Sequence, residues 1–271
     1  MNSLGLEKAI EQLAKEPLLE WLQEDCVWLL QEVHDKFFQH EADIRMVEQK
    51  FLEPIHGVMD LVLYRKNRFV VRDWKVSKKL DDRWKLRQRR SKQFPLYAFT
   101  IFEGFHEIPL IEVIGLNVEE NDKTGKRKVN CEVLEFEYDV ADLERSLEEI
   151  ETIKKELAVL DPSQPWPKNE SGCRCFGDMY KCVFEDVCWG KKNNHAFSLD
   201  KVPEISYTGI TEFFRCQERL RLLKCKEWEE EPSPALALGK AFHDAVAEMY
   251  RTKERNDNAP GTFASLHGSK D

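Results

Sequence analysis

Three charged side chains stand in two apolar stretches, at positions where a buried strand would ordinarily carry Val or Ile. The stretch GVMDLVLYRKNRFVVRDWKVSKK, residues 57–79, has Asp60 in its first apolar run and Asp73 with Lys75 in its second. Residues two apart on a strand face the same side, so Asp73 and Lys75 share a face. Asp60 joins them if the two strands pair.

A divalent cation is the simplest partner for such a cluster. Two converging carboxylates repel and raise each other's pKa unless a cation lies between them. Hard oxygen ligands suit Mg²⁺ or Mn²⁺, and a nearby ammonium can hold a water and offset charge on a phosphoryl transition state. The alternative is a hairpin with exposed polar positions and a surface salt bridge, against which the apolar flanks argue.

The elements that must position these residues follow from hydrophobic periodicity and turn residues. Helices are predicted at 5–40 with a break at Pro17, at 80–104, at 141–159, at 208–228 and at 234–254; strands at 44–64, at 68–77 and in a hairpin around the turn NDKTGK. An irregular segment rich in Pro, Gly and Cys covers 161–192. The pattern predicts an α+β fold with a small mixed sheet flanked by helices.

Composition narrows the class of protein. With 34% charged and 42% hydrophobic residues in 271, the chain is typical of a globular protein with a real core. No apolar run approaches the roughly 20 residues of a membrane span, and the N-terminus lacks the apolar core of a secretory signal. We expect a cytoplasmic protein with no membrane partner.

Charge is distributed unevenly along the chain. The net charge is −9, yet residues 65–92 carry thirteen Lys or Arg against three Asp. A basic stripe on an acidic protein is a plausible footprint for a polyanion backbone. A solvated helix face balanced by acidic neighbours is an equally weighted alternative.

Four of the eight cysteines lie in CRCFGDMYKCVFEDVC, at Cys173, Cys175, Cys182 and Cys188. A cytosolic chain has little use for disulfides, so a metal site is the leading explanation, and soft thiolates select Zn²⁺ or an iron–sulfur cluster. The spacing is not that of a zinc ribbon. Four reduced, partly buried thiols are the alternative.

GVMD followed thirteen residues later by DWK resembles the core of the PD-(D/E)XK nucleases, in particular their RecB-like branch. The Q-x-x-x-Y element of that branch is matched by Gln93 and Tyr97 in QFPLY, and an acidic position before the G-x-x-D strand by Glu48. The resemblance implies that Gln93 and Tyr97 contact the active site or the DNA. Ordinary helix or strand surface is the alternative for each, and Pro95 indicates that the helix begins nearby or is kinked.

Two further elements share this resemblance. The cysteines are similar to the C-terminal triplet of iron–sulfur RecB-type nucleases. This resemblance implies a 4Fe–4S cluster, with Cys216 as the distant fourth ligand and zinc as the alternative metal. One of Cys173 and Cys175 would then not be needed as a ligand. ALALGKAFHDAVAEMY resembles the G-x-x-x-H helix, whose histidine, here His243, is a metal ligand beside the aspartates. Gly239 is expected to let this helix approach the sheet closely. A satisfied core histidine is the alternative.

The order of the motifs departs from that of the family, because the elements that should come first stand last. Three explanations are open. The chain is a circular permutant, or a nuclease followed by the start of a tandem second one, or the product of a gene interrupted where a circular genome was opened. We expect a nuclease core at 1–195, a helical segment at 196–255 that belongs to it or begins a second domain, and a flexible tail at 256–271.

The resemblance implies a metal-dependent DNA nuclease, most readily an exonuclease on single-stranded or end-bearing DNA. Such an enzyme would act in repair, recombination, phage or CRISPR-related processing. A helicase or recombination protein is a candidate partner. Asp60, Asp73 and His243 would hold Mg²⁺ or Mn²⁺, and Lys75 would orient the water. Contacts to the DNA backbone are expected from Arg87, Arg89, Arg90 and Lys92. The rivals are a non-catalytic DNA-binding or scaffolding module of the same fold and a zinc-stabilised binding domain.

Overall fold

The computed structural model of the chain describes residues 4–16, 20–41, 43–51, 55–120, 124–125, 127–169, 182, 184–188, 199, 201–203, 206–225 and 233–256. The chain divides into two compact units. The first comprises 1–50, 58–143 and 232–271, and the second comprises 51–57 and 144–231. Pro17, Cys173 and Cys175 lie outside the described residues.

A five-stranded mixed sheet runs through the chain in the spatial order β1-β2-β3-β4-β5. Its strands are β1 (Ile44–Phe51), β2 (Gly57–Arg65), β3 (Arg68–Val76), β4 (Leu110–Glu120) and β5 (Arg127–Phe136). β2 is antiparallel to β3, β3 is parallel to β4, and β4 is antiparallel to β5. Together with the flanking helices, this sheet confirms the predicted α+β class and is consistent with a restriction-endonuclease-like fold.

The β2–β3 hairpin has the turn chemistry that its sequence demands. Lys66 and Asn67 both have positive φ, at 53° and 59°, the two-residue conformation whose twist matches that of the flanking strands. The turn fixes the register, in which Leu61 lies opposite Arg72 and Arg65 opposite Arg68. Asp60 and Asp73 are the next residues of their strands beyond the Leu61–Arg72 pair.

Two helices, α3 (Asp82–Arg89) and α4 (Gln93–Phe105), connect the parallel strands β3 and β4, as a parallel pair requires. Asp81 caps α3 by accepting a hydrogen bond from the Trp84 backbone N–H at 2.9 Å. The Trp84 ring then packs over Gly115, where an added Cβ would lie 2.5 Å from the ring. The glycine therefore allows α3 to lie close to the sheet beside Lys75, the register partner of Gly115.

The principal core of the first unit forms between one face of the sheet and helices from both ends of the chain. These are α1 (Leu4–Leu13), α2 (Glu20–Lys36) and α9 (Pro234–Asn256), with the short 3-10 turn Phe38–His40. The sheet contributes Leu61, Leu63, Val70, Trp74, Ile114 and Leu116, and α9 contributes Ala241, Phe242, Ala245, Val246, Met249 and Tyr250. The C-terminal helix is thus part of the same core as the strands.

A buried ion cluster, which the sequence analysis did not anticipate, lies on this face. Arg72 is 1% exposed and contacts Glu41 at 2.8 Å and Glu112 at 2.7 Å, while its guanidinium lies 4.9 Å from the centre of the Phe37 ring. Arg65 also pairs with Glu112. Because breaking a buried pair leaves an uncompensated charge, the cluster holds β2, β3 and β4 in one register.

In the second unit the described helices are α6 (Glu185–Cys188), α7 (Tyr207–Arg215) and α8 (Gln217–Lys224); α5 (Val140–Ala158) crosses the boundary between the units. The expected single helix at 208–228 is wrong, because Cys216 takes an extended backbone conformation, with φ −171° and ψ 118°, and separates α7 from α8. The buried pair Glu218–Arg221 anchors α8, and Glu218 also accepts a hydrogen bond from the Trp166 N–H at 2.7 Å.

Across the described residues, every helix falls short of the length and apolar content that crossing a bilayer requires.

Replacing Phe242 by Ala should lower the free energy of unfolding by about 3–5 kcal/mol, because a fully buried ring would be lost from the core that α9 shares with the sheet. Urea unfolding followed by circular dichroism measures the change. Leu236→Ala on the same helix is the control, since Leu236 is 64% exposed and should change stability by less than about 0.5 kcal/mol. Equal effects of the two changes would contradict the packing of α9 against the sheet.

Candidate active site

The two aspartates lie side by side on one face of the sheet. Asp60 lies on β2 and Asp73 on β3, each one residue beyond the Leu61–Arg72 pair. The Asp60 carboxylate accepts a hydrogen bond at 2.9 Å from the backbone N–H of Trp74, which fixes it next to Asp73. Asp73 is 1% exposed, whereas 17% of the Asp60 side chain reaches solvent. A buried carboxylate and a partly open one therefore share a single location.

Lys75 stands on the same face as Asp73, as its spacing of two residues predicts. Its Nζ lies 2.7 Å from Asp73 Oδ2, and 30% of its side chain is exposed. The ammonium is the only charge in this ion pair with access to solvent, because Asp73 itself is covered. The pair leaves one side of the cluster open to a ligand.

His243 reaches the same cluster from α9. Its Nδ1 lies 3.3 Å from Asp60 Oδ2, and its side chain is 30% exposed. Histidine and aspartate are 183 positions apart in the sequence and meet because α9 packs against the strands. The stated reason for Gly239 is wrong, however. An added Cβ there would meet no described atom within 4 Å, so the glycine is not required for close approach to the sheet.

Gln93 and Tyr97 also contact the cluster, on the side of Asp73. Gln93 Nε2 donates to Asp73 Oδ1 at 3.1 Å and contacts the Tyr97 hydroxyl, which donates to the Val58 carbonyl. α4 begins at Gln93, so Pro95 lies in its first turn, where backbone N–H groups have no intrahelical partner. The proline therefore leaves the alignment of Gln93 and Tyr97 intact.

Glu48 is placed differently. It pairs with Arg251 of α9 and has a positive φ of 48° within β1, a strained conformation for a residue with a side chain. None of the contacts described for the chain joins Glu48 to Asp60 or Asp73. The structure groups it with the C-terminal half of α9, two turns from His243.

The electrostatics of the two carboxyls differ. Burial and the neighbouring Asp60 charge raise the pKa of Asp73 to about 6, against the opposing effects of Lys75 and His243. Burial also acts to raise the pKa of Asp60, but His243, Lys75 and the Trp74 N–H together hold it below its usual value. Burial acts to lower the pKa of His243, but the charges of Asp60 and Asp73 outweigh it and raise the pKa overall. Asp73 therefore keeps its proton to a higher pH than a free carboxyl does, whereas Asp60 ionises more readily.

The chemistry of this donor set fits a hard divalent cation. Two carboxylates and an imidazole are ligands that Mg²⁺ and Mn²⁺ accept, and the raised pKa of Asp73 reflects negative charge that a cation would offset. Within the described ranges, no group of three or more His, Cys, Asp or Glu side chains is already arranged around a common metal position. The carboxylates are instead occupied by Lys75, His243 and Gln93, which a cation would have to displace in part.

Three of the five predicted cysteine ligands are described, all in the second unit. Cys182 packs beside Cys188 in a small apolar cluster with Phe184 and Leu222, and Arg219 lies 3.8 Å from Cys182 Sγ. Cys216 Sγ accepts from the Asn169 N–H at 3.5 Å. Cys216 precedes α8 and Arg219 lies in its first turn. The contact between this part of the chain and Cys182 is made by Arg219.

The four predicted DNA contacts are exposed. Arg87 and Arg89 lie on α3, Arg90 ends this helix, and Lys92 precedes α4. They follow β3 in the chain and precede Gln93. Two backbone groups of the site, the Trp74 N–H and the Val58 carbonyl, were not anticipated, because backbone groups leave no signal in the sequence.

In metal-free protein, Asp73→Asn should raise the free energy of unfolding at pH 7.5 by about 2–3 kcal/mol, because ionising a carboxyl with a pKa raised to about 6 destabilises the folded state. The gain should shrink as the pH falls from 6 to 4 and vanish below, where folded and unfolded chains both hold this proton. Urea unfolding in EDTA measures it.

Asp60→Asn is the matched control and should act with the opposite sign. Its pKa is lowered in the folded state, so the ionised carboxylate stabilises the protein above pH 4 and that stability is lost in the variant. An Asp73→Asn variant less stable than the wild type at pH 7.5 would show that burial and the Asp60 charge do not destabilise the ionised Asp73 carboxylate in the folded chain.

Comparison with known proteins gives one family. A family model described as the PD-(D/E)XK nuclease superfamily matches residues 4–189, which is more than half of the chain. No curated protein matches the chain. The matched range includes Asp60, Asp73, Lys75, Gln93 and Tyr97, and the sheet has the mixed order described above. The chain belongs to the PD-(D/E)XK nuclease superfamily.

Proposed function

We propose that this chain is a metal-dependent deoxyribonuclease of the RecB-like branch that hydrolyses phosphodiester bonds at single-stranded or end-bearing DNA, most readily as an exonuclease. One observation carries the proposal: Asp60, Asp73, Lys75 and His243 converge from two strands and a distant helix. A surface salt bridge would not require a buried Asp73 beside a second carboxylate.

Asp60, Asp73 and His243 are the residues that would hold Mg²⁺ or Mn²⁺. When bound, the ion supplies Lewis acidity that lowers the pKa of a water and offsets charge on the phosphate. Asp60 is pre-organised for this role, because the Trp74 N–H fixes its carboxylate and His243 keeps it ionised. Gln93 fixes Asp73 from the other side, with Tyr97 and the Val58 carbonyl behind it.

Lys75 is the residue we assign to the attacking water. Its ammonium contacts Asp73 and reaches solvent, so it would become available once a cation neutralises that carboxylate. A positioned ammonium both orients a water and offsets negative charge that develops on the phosphoryl oxygens. Arg87, Arg89, Arg90 and Lys92 would bind the DNA backbone, which predicts binding that weakens as salt rises.

The segment 196–255 is proposed to complete the nuclease domain within the same chain. The position of His243 beside Asp60 supports a circular permutation over a tandem arrangement, since the histidine need not serve another copy. A cut in the chain is tolerated where the new ends lie in an exposed connection.

An iron–sulfur cluster, with zinc as the alternative, is proposed for Cys182, Cys188, Cys216 and one of Cys173 and Cys175. Soft thiolates select these metals, and hydrogen bonds to sulfur of the kind made by Asn169 and Arg219 are typical around such centres. The cluster would stabilise the fold as a bound metal does. We place the enzyme in the cytoplasm, beside a helicase or recombination protein. Its proposed settings are repair, recombination, phage or CRISPR-related processing.

Purified chain should degrade 5′-labelled single-stranded DNA with Mn²⁺ or Mg²⁺, and Asp73→Ala and Lys75→Ala should each lower the rate by at least about 10³-fold, because each removes a group that would act on the transition state. Denaturing gels measure the rate. Lys155→Ala, at an exposed position of α5, is the control and should retain the wild-type rate.

Undiminished cleavage in both variants would remove the proposed mechanism. Tight DNA binding without any cleavage would instead favour the non-catalytic DNA-binding module.

Protein purified without oxygen should be brown and absorb near roughly 400 nm if the cysteines hold an iron–sulfur cluster. Cys188→Ser should abolish the absorption, whereas Cys131→Ser, in a half-buried strand position of the first unit, should not. Stoichiometric zinc with no visible absorption would assign the site to zinc.

A further inference from the structure

Gly239 lies in a helix where no described neighbour requires a glycine. It lies inside α9, between residues that favour helix, with no described atom within 4 Å of an added Cβ. Glycine weakens a helix interior relative to alanine. The need for close packing, which explains Gly115 against Trp84, does not apply here. The open space above Gly239 is therefore the feature to explain.

One face of α9 changes character at His243. Residues three, four and seven apart share a helical face, so Leu236, Gly239 and His243 lie in one row. After His243 the neighbouring positions on this face, Val246 and Tyr250, are 2% and 0% exposed. Before it, Leu236 is 64% exposed, and no described atom lies within 4 Å of a Cβ added to the partly buried Gly239. On this row, the described residues ahead of His243 are therefore less covered than those after it, although Leu238 on the neighbouring face still packs against the core.

This uncovered face leads directly to the two carboxylates. Gly239 is one turn from His243, about 6 Å along the helix axis, and His243 is 3.3 Å from Asp60. Lys240 is exposed at the edge of the same row. A cation, a bare stretch of helix backbone and an exposed leucine form the surface that a chain with phosphates and flat apolar bases would contact.

We propose that Leu236, Gly239 and Lys240 form the path along which a single nucleic-acid strand enters the site, an inference that rests on the proposed nuclease function. The missing side chain of Gly239 lets the sugar–phosphate backbone approach the helix. Lys240 contacts a phosphate, and Leu236 packs against a base. The positive N-terminal end of α9 favours the same negative charge.

The proposal predicts opposite effects on stability and on binding. Gly239→Ala should raise the melting temperature by about 2–4 °C, because alanine favours helix and its Cβ meets nothing, yet it should weaken binding of a fluorescein-labelled oligothymidine at least threefold. Gly239→Leu should weaken binding at least tenfold. Lys240→Ala should reduce the salt slope of binding by about one.

Fluorescence anisotropy in EDTA measures this binding without cleavage. Ala237→Leu is the control, because it adds a side chain of the same size on another side of α9, and it should bind as the wild type does. Gly239→Leu that binds as tightly as the wild type would overturn the proposed path. A lower melting temperature for Gly239→Ala would do the same, since it would make the glycine structural. Wild-type protein that neither binds nor cuts DNA would instead overturn the nuclease function itself.

Discussion

The site depends on the antiparallel pairing of β2 with β3 in one register. Shifting this ladder by one residue would turn Asp60 to the opposite face of the sheet and move Leu61 and Leu63 out of the core. The two-residue turn at Lys66 and Asn67 sets the register, and the buried Arg72–Glu112 pair on the other face secures it. The geometry of the carboxylates is therefore a consequence of strand pairing rather than of local sequence.

Placing two carboxylates together is costly, and the surrounding side chains show how the fold offsets the cost. Asp73 is buried and has a raised pKa, while Asp60 remains ionised beside His243 and the Trp74 N–H. Lys75 compensates the charge from the solvent side. Such a site is less stable than an apolar replacement would be, and this loss is typical of positions that bind a cation.

The C-terminal helix connects the packing of the core with the chemistry. Phe242 and Tyr250 hold α9 in the core that the sheet forms with α1 and α2, and His243 is placed beside Asp60 by the same packing. The same helix therefore contributes to the core and places His243 at the carboxylates. The chain therefore needs α9 both to complete its core and to bring His243 to Asp60, irrespective of the order of the motifs in the sequence.

Local pattern by itself determined the strands, the hairpin, the α+β class and the acidic and basic residues of the motif, because alternation and turn residues act over a few positions. The family resemblance implied that His243 lies beside the aspartates, but periodicity alone could not show it, nor that Glu48 pairs with Arg251 or that Cys216 interrupts a helix. These facts depend on contacts between distant segments, which side-chain packing decides. The open space above Gly239 likewise exists only in the folded chain, since a glycine in a sequence does not say whether it faces a neighbour or nothing.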